Sequence, residues 1–177
     1  ILVENNVIAD LKGQYLDLSG TNRNLVYLYI SDGVGGSIIC NGQVIDGENS
    51  MAGKFAHILV ESGGRRCACG KRGHLESYVS KPAMEEAYFE ASGKRLELPE
   101  ICRLAGEGEK AAAAVLKDAI DKLAIGINQI LLVVNPGTLV LYGDLFESVD
   151  GILERLKQKT KELAFTEEIA DNCWMVR

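Results

Sequence analysis

The only two histidines in this 177-residue sequence, His57 and His74, bracket an 18-residue window that also holds Cys67 and Cys69. Imidazole nitrogens and thiolates are donors that Zn²⁺ favours, and a structural zinc takes four of them in a closed tetrahedron. Cys67-Ala68-Cys69-Gly70 is a C-x-C pair on a glycine-bearing loop, whose backbone can bend until both sulfurs face one ion. Spacing alone leaves a second reading open, an exposed C-x-C beside two unrelated histidines, because C-x-C is less diagnostic than paired C-x-x-C.

Two further features flank that window. Glu76 follows His74 at the start of a predicted helix. Its carboxylate could accept hydrogen bonds from sugar hydroxyls, but on the residues alone it reads first as an acid favoured by the helix dipole. Upstream, Asp32-Gly33-Val34-Gly35-Gly36 joins two predicted strands. Gly33, Gly35 and Gly36 would let backbone N–H groups approach a phosphate. No helix follows, so this is neither a P-loop nor a dinucleotide fingerprint, and a tight hairpin is the simpler reading. Arg65, Arg66, Lys71 and Arg72 cluster on the cysteine loop and read as a solvated face.

The elements that must position these residues follow from periodicity. Asn5 and Asn6 can cap a helix carrying Val7, Leu11 and Tyr15 at four-residue intervals. Leu25 to Ile30 is an aliphatic and aromatic run of strand length, and Ser37 to Cys40 a second strand. Asn41-Gly42 signals a type I′ hairpin into Gln43-Val44-Ile45. Phe55 to Val60 reads as another extended run, and Glu61 to Gly73 as a loop. Ser80-Lys81-Pro82 opens a helix. Ala111 to Val134 is predicted as a long helix whose stripe includes Val115, Ala119, Leu123, Ile127 and Ile130, stopped by Asn135-Pro136-Gly137. Thr138 to Tyr142 reads as a buried strand, and Val149, Ile152, Leu153 and Leu156 mark a last helix. Antiparallel strands followed by helix, strand and helix define an α/β domain.

Composition narrows the function. Lys plus Arg is 19 and Asp plus Glu is 25, so the net charge of −6 argues against nucleic-acid binding by this stretch. No run of about 18 apolar residues offers a membrane span. Of five cysteines, an odd number, three are scattered and Cys67 and Cys69 are close together, which fits a reducing, cytosolic setting with a local role for that pair better than a disulfide framework. The sequence starts at Ile1 without Met and stops at Arg177, which reads as a fragment.

Taken in order, these segments resemble the ROK family of sugar kinases and sugar-responsive repressors. Cys67-Ala68-Cys69-Gly70-Lys71-Arg72-Gly73-His74-Leu75-Glu76 is similar to the family's C-x-C-G-x-x-G-C-L-E signature. Ala52-Gly53-Lys54-Phe55-Ala56-His57 resembles its A-G-E-x-G-H signature, Val3-Glu4-Asn5-Asn6 its V-E-N-D segment, and Asp32 to Gly36 its second glycine turn. The resemblance implies an actin-like (RNase H-like) fold of two lobes closing on a sugar. Residues 1–177 would be the C-terminal lobe, a mixed sheet with antiparallel N-terminal strands and flanking helices. The first lobe would lie upstream, with a helix-turn-helix domain before it in the repressors.

The resemblance also implies roles. The family's zinc would be held by His57, Cys67, Cys69 and His74, where His74 stands in place of a cysteine and keeps a ligand. Sugar contacts would come from Asn5, Asn6, Lys54, His57 and Glu76. Two of these depart from the family. The kinases' catalytic aspartate is Asn6 here, and an amide does not usefully accept the hydroxyl proton that phosphoryl transfer releases. The signature glutamate is Lys54, which exchanges an acceptor-only group for a donor-only one. Tyr142-Gly143 also stands where kinases keep paired glycines near the nucleotide. The expectation is therefore a regulator lobe: structural zinc, a sugar or sugar phosphate as effector, and no catalytic residue. Neither ATP nor membrane is expected to bind, assembly is expected to be a homodimer, and DNA would be bound only through a domain outside this chain.

Overall fold

The computed structural model describes residues 23–166, 168 and 173–176. The predicted helix at Asn5, and with it Asn6, Val7, Leu11 and Tyr15, lies outside the described residues. Strand β1 (Leu25–Ile30) alternates its side chains across a sheet. Val26, Leu28 and Ile30 enter the main core, while Leu25 and Tyr27 join Ile39 and Val140 on the opposite face. Strand β2 (Val34–Cys40) pairs antiparallel with β1, and Asn41 and Gly42 at φ 52° and 80° turn it into β3 (Gln43–Val44). Both values are positive, as a type I′ turn demands.

Four helices then stack on one face. They are α1 (Glu76–Val79), α2 (Lys81–Ser92), α3 (Leu98–Gly106) and α4 (Lys110–Val134). The 25 residues of α4 bury the expected stripe, including Leu123, Ile127 and Ile130. Glu109 caps it by accepting from the Ala112 N–H at 2.6 Å, and Asn135 closes it in the left-handed region at φ 44°. The chain returns as β4 (Thr138–Tyr142), parallel to β1, and passes through α5 (Asp144–Ser148) and α6 (Ile152–Leu163) to β5 (Cys173–Val176). The strand order is β3-β2-β1-β4-β5, with the antiparallel pairs on one side and the parallel pairs on the other. The mixed five-stranded sheet with its packed helices is the α/β architecture expected from the sequence.

Three expectations are corrected. Phe55 to Val60 is not an extended run: Phe55–His57 form a turn of 3-10 helix, closed by Ile58 N–H to the Phe55 carbonyl at 3.1 Å. Strand β2 begins at Val34 rather than Ser37, so Gly35 and Gly36 pair with Tyr29 and Leu28 inside the ladder. The two corrections share a cause. The Phe55 ring lies over Gly36, where a Cβ would come within 2.2 Å of it, so the glycine makes room for the ring beside the strand. The last helix starts at Ile152, with Val149 in the turn before it, and α3, α5 and β5 were not anticipated. Among the described residues no helix is long and apolar enough to cross a membrane.

Candidate metal centre

A short two-stranded clip builds the centre. Val60 N–H donates to the Gly73 carbonyl at 2.8 Å and Leu75 N–H to the Ile58 carbonyl at 2.9 Å, with a bridge between Leu59 and His74. The clip sets His57 beside His74, ring centroids 5.3 Å apart at 64°. It depends on Gly73, which sits at φ 78° and whose Cβ would lie 1.6 Å from the Glu61 carbonyl oxygen. At the far end Arg66 bridges Arg72, Cys67 N–H donates to the Lys71 carbonyl at 2.8 Å, and Gly70 N–H to the Cys67 carbonyl at 2.9 Å. That tight turn folds the cysteines back toward the histidines.

One ligand atom from each of His57, Cys67, Cys69 and His74 lies within 4.8 Å of the other three. A tetrahedral zinc with bonds of about 2.0–2.3 Å separates its donors by roughly 3.3–3.8 Å, so closure needs only small side-chain movements. Cys69 Sγ and His74 Nδ1 are 3.2 Å apart. Cys67 is buried while His57 and Cys69 are exposed. Burial pushes the Cys67 thiol up, and the neighbouring Cys69 and Glu76 add to the rise. A divalent cation supplies the counter-charge that holds such thiols as thiolates. The donor set and spacing fit zinc. Cys102, by contrast, is pushed up to about 11 by burial alone and has no such partners.

Glu76 joins the centre to the glycine turn. Its Oε2 accepts from the Val34 N–H at 3.3 Å, and the Cys67 thiol lies 3.9 Å from its Oε1. At the same end of the sheet, Ser31 Oγ donates to Asp144 Oδ2 at 2.7 Å. Gly33 stands against Glu76, while Gly35 and Gly36 lie within β2. Lys54 is exposed and immediately precedes the 3-10 turn that carries His57. The structure thus groups His57, Cys67, Cys69 and His74, and sets Glu76 and Gly33 next to them. Asn5 and Asn6 lie outside the described residues.

A second network fixes the base of the metal loop on α4. The Tyr78 hydroxyl donates to Glu61 Oε2 at 2.6 Å and accepts from the Arg65 N–H at 2.7 Å. Lys122 on α4 reaches Glu61 at 3.1 Å, and Arg65 pairs with Asp118 at 2.9 Å. The Arg65 guanidinium sits 5.0 Å and the Lys122 ammonium 5.3 Å from the Tyr78 ring centroid. Tyr78 and then Lys122 hold the Glu61 carboxyl below the usual carboxylate range, and burial followed by Glu61 raises the phenol. Sequence reasoning missed this network because its members lie 4 to 61 positions apart with no repeating pattern. The one local signal was Gly64, whose Cβ would meet the Tyr78 hydroxyl at 2.0 Å.

The ROK family profile matches residues 1–176. A glucokinase of Pyrobaculum calidifontis is 33% identical over 147 residues, covering 82% of this chain and 49% of the relative. The xylose repressor of Bacillus subtilis is 26% identical over 168 residues, covering 94% and 44%. The chain therefore spans about half the length of these curated relatives. A crystal structure of a ROK family glucokinase from Streptomyces griseus, in complex with glucose and AMPPNP, superposes with a TM-score of 0.83. The identity there is 19%, covering 99% of this chain and 62% of that one. With the family profile matching residues 1–176 and the His/Cys cluster in place, this chain belongs to the ROK family.

Proposed function

We propose that this chain is the C-terminal, effector-sensing lobe of a ROK-type sugar-responsive transcriptional regulator without kinase activity. The observation that carries the reading is the amide at position 6. Where the family's kinases place an aspartate, Asn6 can hydrogen-bond a sugar hydroxyl but does not take its proton. Asn5, Asn6, Lys54, His57 and Glu76 are the proposed sugar-facing residues. The zinc is structural, since four protein ligands leave no open position for water. It pins the loop between Glu61 and His74 and, through His57 and Glu76, the edge of the sugar site. Gly33 stands against Glu76 and Gly35 and Gly36 pair within β2, and on the regulator reading no phosphate role is proposed for them. Two copies are proposed to pair through this lobe, with DNA held by a domain outside this chain.

The second reading, an ATP-dependent sugar kinase, is favoured by the 33% identity to a glucokinase. A coupled ADP-release assay on the full-length protein with a panel of hexoses separates the two. Loss of a general base costs about 10²–10⁴-fold. Turnover is expected well below about 1 s⁻¹, and a value in the normal kinase range of roughly 1–100 s⁻¹ would refute the regulator reading.

A further inference from the structure

We propose that Cys67 and Cys69 form a two-electron oxidation site, at which hydrogen peroxide joins the two sulfurs in a disulfide and the metal loop gives up its zinc. The inference goes beyond the sugar-sensing reading and rests only on the zinc assignment of the centre.

The donor set carries it. Both sulfurs of the centre belong to this one C-x-C pair, because His74 stands where the resembling signature has a cysteine. The thiolate is the form of cysteine that binds metal, so a disulfide between Cys67 and Cys69 removes both sulfur donors in one event. His57 and His74 remain, which is half of the closed tetrahedron that a structural zinc needs. With a third cysteine in the set, one thiolate would outlast the same oxidation. Here none does.

Geometry places the pair within reach of each other and of solvent. The two sulfurs lie within 4.8 Å, so a bond of about 2.05 Å requires them to approach by less than about 3 Å. The turn that carries them is already closed by the Gly70 N–H donating to the Cys67 carbonyl at 2.9 Å. Cys69 is exposed, and a Cβ on the adjoining Gly70 would meet nothing within 4 Å, so a small oxidant reaches this side of the loop. Cys67 is only 3% exposed and is placed as the resolving thiol. Cys69 Sγ attacks one oxygen of the peroxide: the S–O bond forms, the O–O bond breaks and hydroxide leaves. Cys67 Sγ then attacks the sulfenic sulfur of Cys69: the S–S bond forms, the S–O bond breaks and a second hydroxide leaves. The two thiolates lose two electrons, the peroxide gains them, and solvent protons turn both hydroxides into water. The base of the loop is anchored without sulfur, by Tyr78 to Glu61 at 2.6 Å and Arg65 to Asp118 at 2.9 Å. Oxidation therefore frees the metal end of the loop while the domain stays folded, and a reductant can reverse it.

The test is titration of the full-length, zinc-loaded protein with hydrogen peroxide, read by a chromophoric zinc indicator and by peptide mass. Trypsin cuts after Arg66 and after Lys71, so Cys67 and Cys69 are released together in the peptide Cys67–Lys71. Loss of one zinc per chain is expected in step with the loss of two hydrogen masses from that peptide. A thiol reductant with added Zn²⁺ should restore both, with far-ultraviolet circular dichroism unchanged throughout. Cys40→Ser removes an exposed thiol outside the cluster and is expected to alter neither readout. Zinc retained and both thiols intact, at a peroxide dose that has already oxidised Cys40, would overturn the proposal. So would zinc release with Cys69 carried to the sulfinic acid and no disulfide, or a disulfide from either sulfur to Cys40, Cys102 or Cys173. Protein purified without added chelator that holds no zinc before peroxide is added would overturn the zinc assignment itself, and this proposal with it.

Discussion

Replacing Gly73 by Ala should detach the metal site without unfolding the domain. Gly73 sits at φ 78°, and an added Cβ would lie 1.6 Å from the Glu61 carbonyl oxygen and 2.7 Å from its carbon. Both atoms are backbone, so the clip must open. Alanine in the left-handed region costs about 1–2 kcal/mol. Opening also strains the bonds that the Gly73 carbonyl accepts from Val60 and Glu61, at 2.8 and 3.2 Å. Those contribute about 1 kcal/mol each, so the local cost is about 3–4 kcal/mol. Because the clip holds His57 beside His74, that cost comes off metal binding, about 10²–10³-fold in zinc affinity. Gly70→Ala is the matched control. Its φ of 88° is equally left-handed, but a Cβ there meets nothing within 4 Å. Only the conformational cost applies, about 5–30-fold. Competition titration against a chromophoric zinc chelator measures both. A Gly73→Ala affinity within about fivefold of the parent protein, or equal losses in the two variants, would refute the clip as the organiser of the site.

Other perturbations act on the surroundings. Tyr78→Phe keeps the ring between Arg65 and Lys122 but removes a hydroxyl engaged in two hydrogen bonds, so thermal denaturation should show a fall of about 2–8 °C in Tm. Glu61 has its carboxyl held below the reference value of 4.5 by Tyr78 and Lys122. Its stabilising share is therefore complete above that value and lost as pH falls through the lower folded-state value. Melts across that acid range should decline less steeply for Glu61→Gln than for the parent protein. Leu123→Ala empties a fully buried position on α4 and should cost about 2–5 kcal/mol in chemical denaturation, with the m-value unchanged.

Much of this architecture was legible because local pattern and tertiary role coincide. Leu25–Ile30 and Thr138–Tyr142 are apolar over their whole length, and they became the central parallel pair. The stripe of α4 and the Asn41-Gly42 turn are likewise self-contained signals. Phe55–Val60 misled because its composition is that of a strand, while its conformation is set by a ring seated on Gly36, 19 positions earlier. The helix α3 and strand β5 are short and gain their stability from neighbours rather than from their own periodicity. In the site, the four metal donors were readable because zinc demands particular residue types close together in this loop. Glu61, Arg65, Asp118 and Lys122 were not, since ordinary charged residues become a network only once α4 lies beside the metal loop.

The most direct measurement follows bound sugar and phosphorylated sugar in one sample. Full-length, zinc-loaded protein is dialysed to equilibrium with labelled sugars and sugar phosphates in the presence of ATP and Mg²⁺, and the retained ligand is then identified by mass. A sensing lobe with an amide at position 6 should retain about one ligand per chain, chemically unchanged. Conversion of a neutral sugar to its phosphate at about 1 s⁻¹ or faster would show that the chain belongs to a kinase instead.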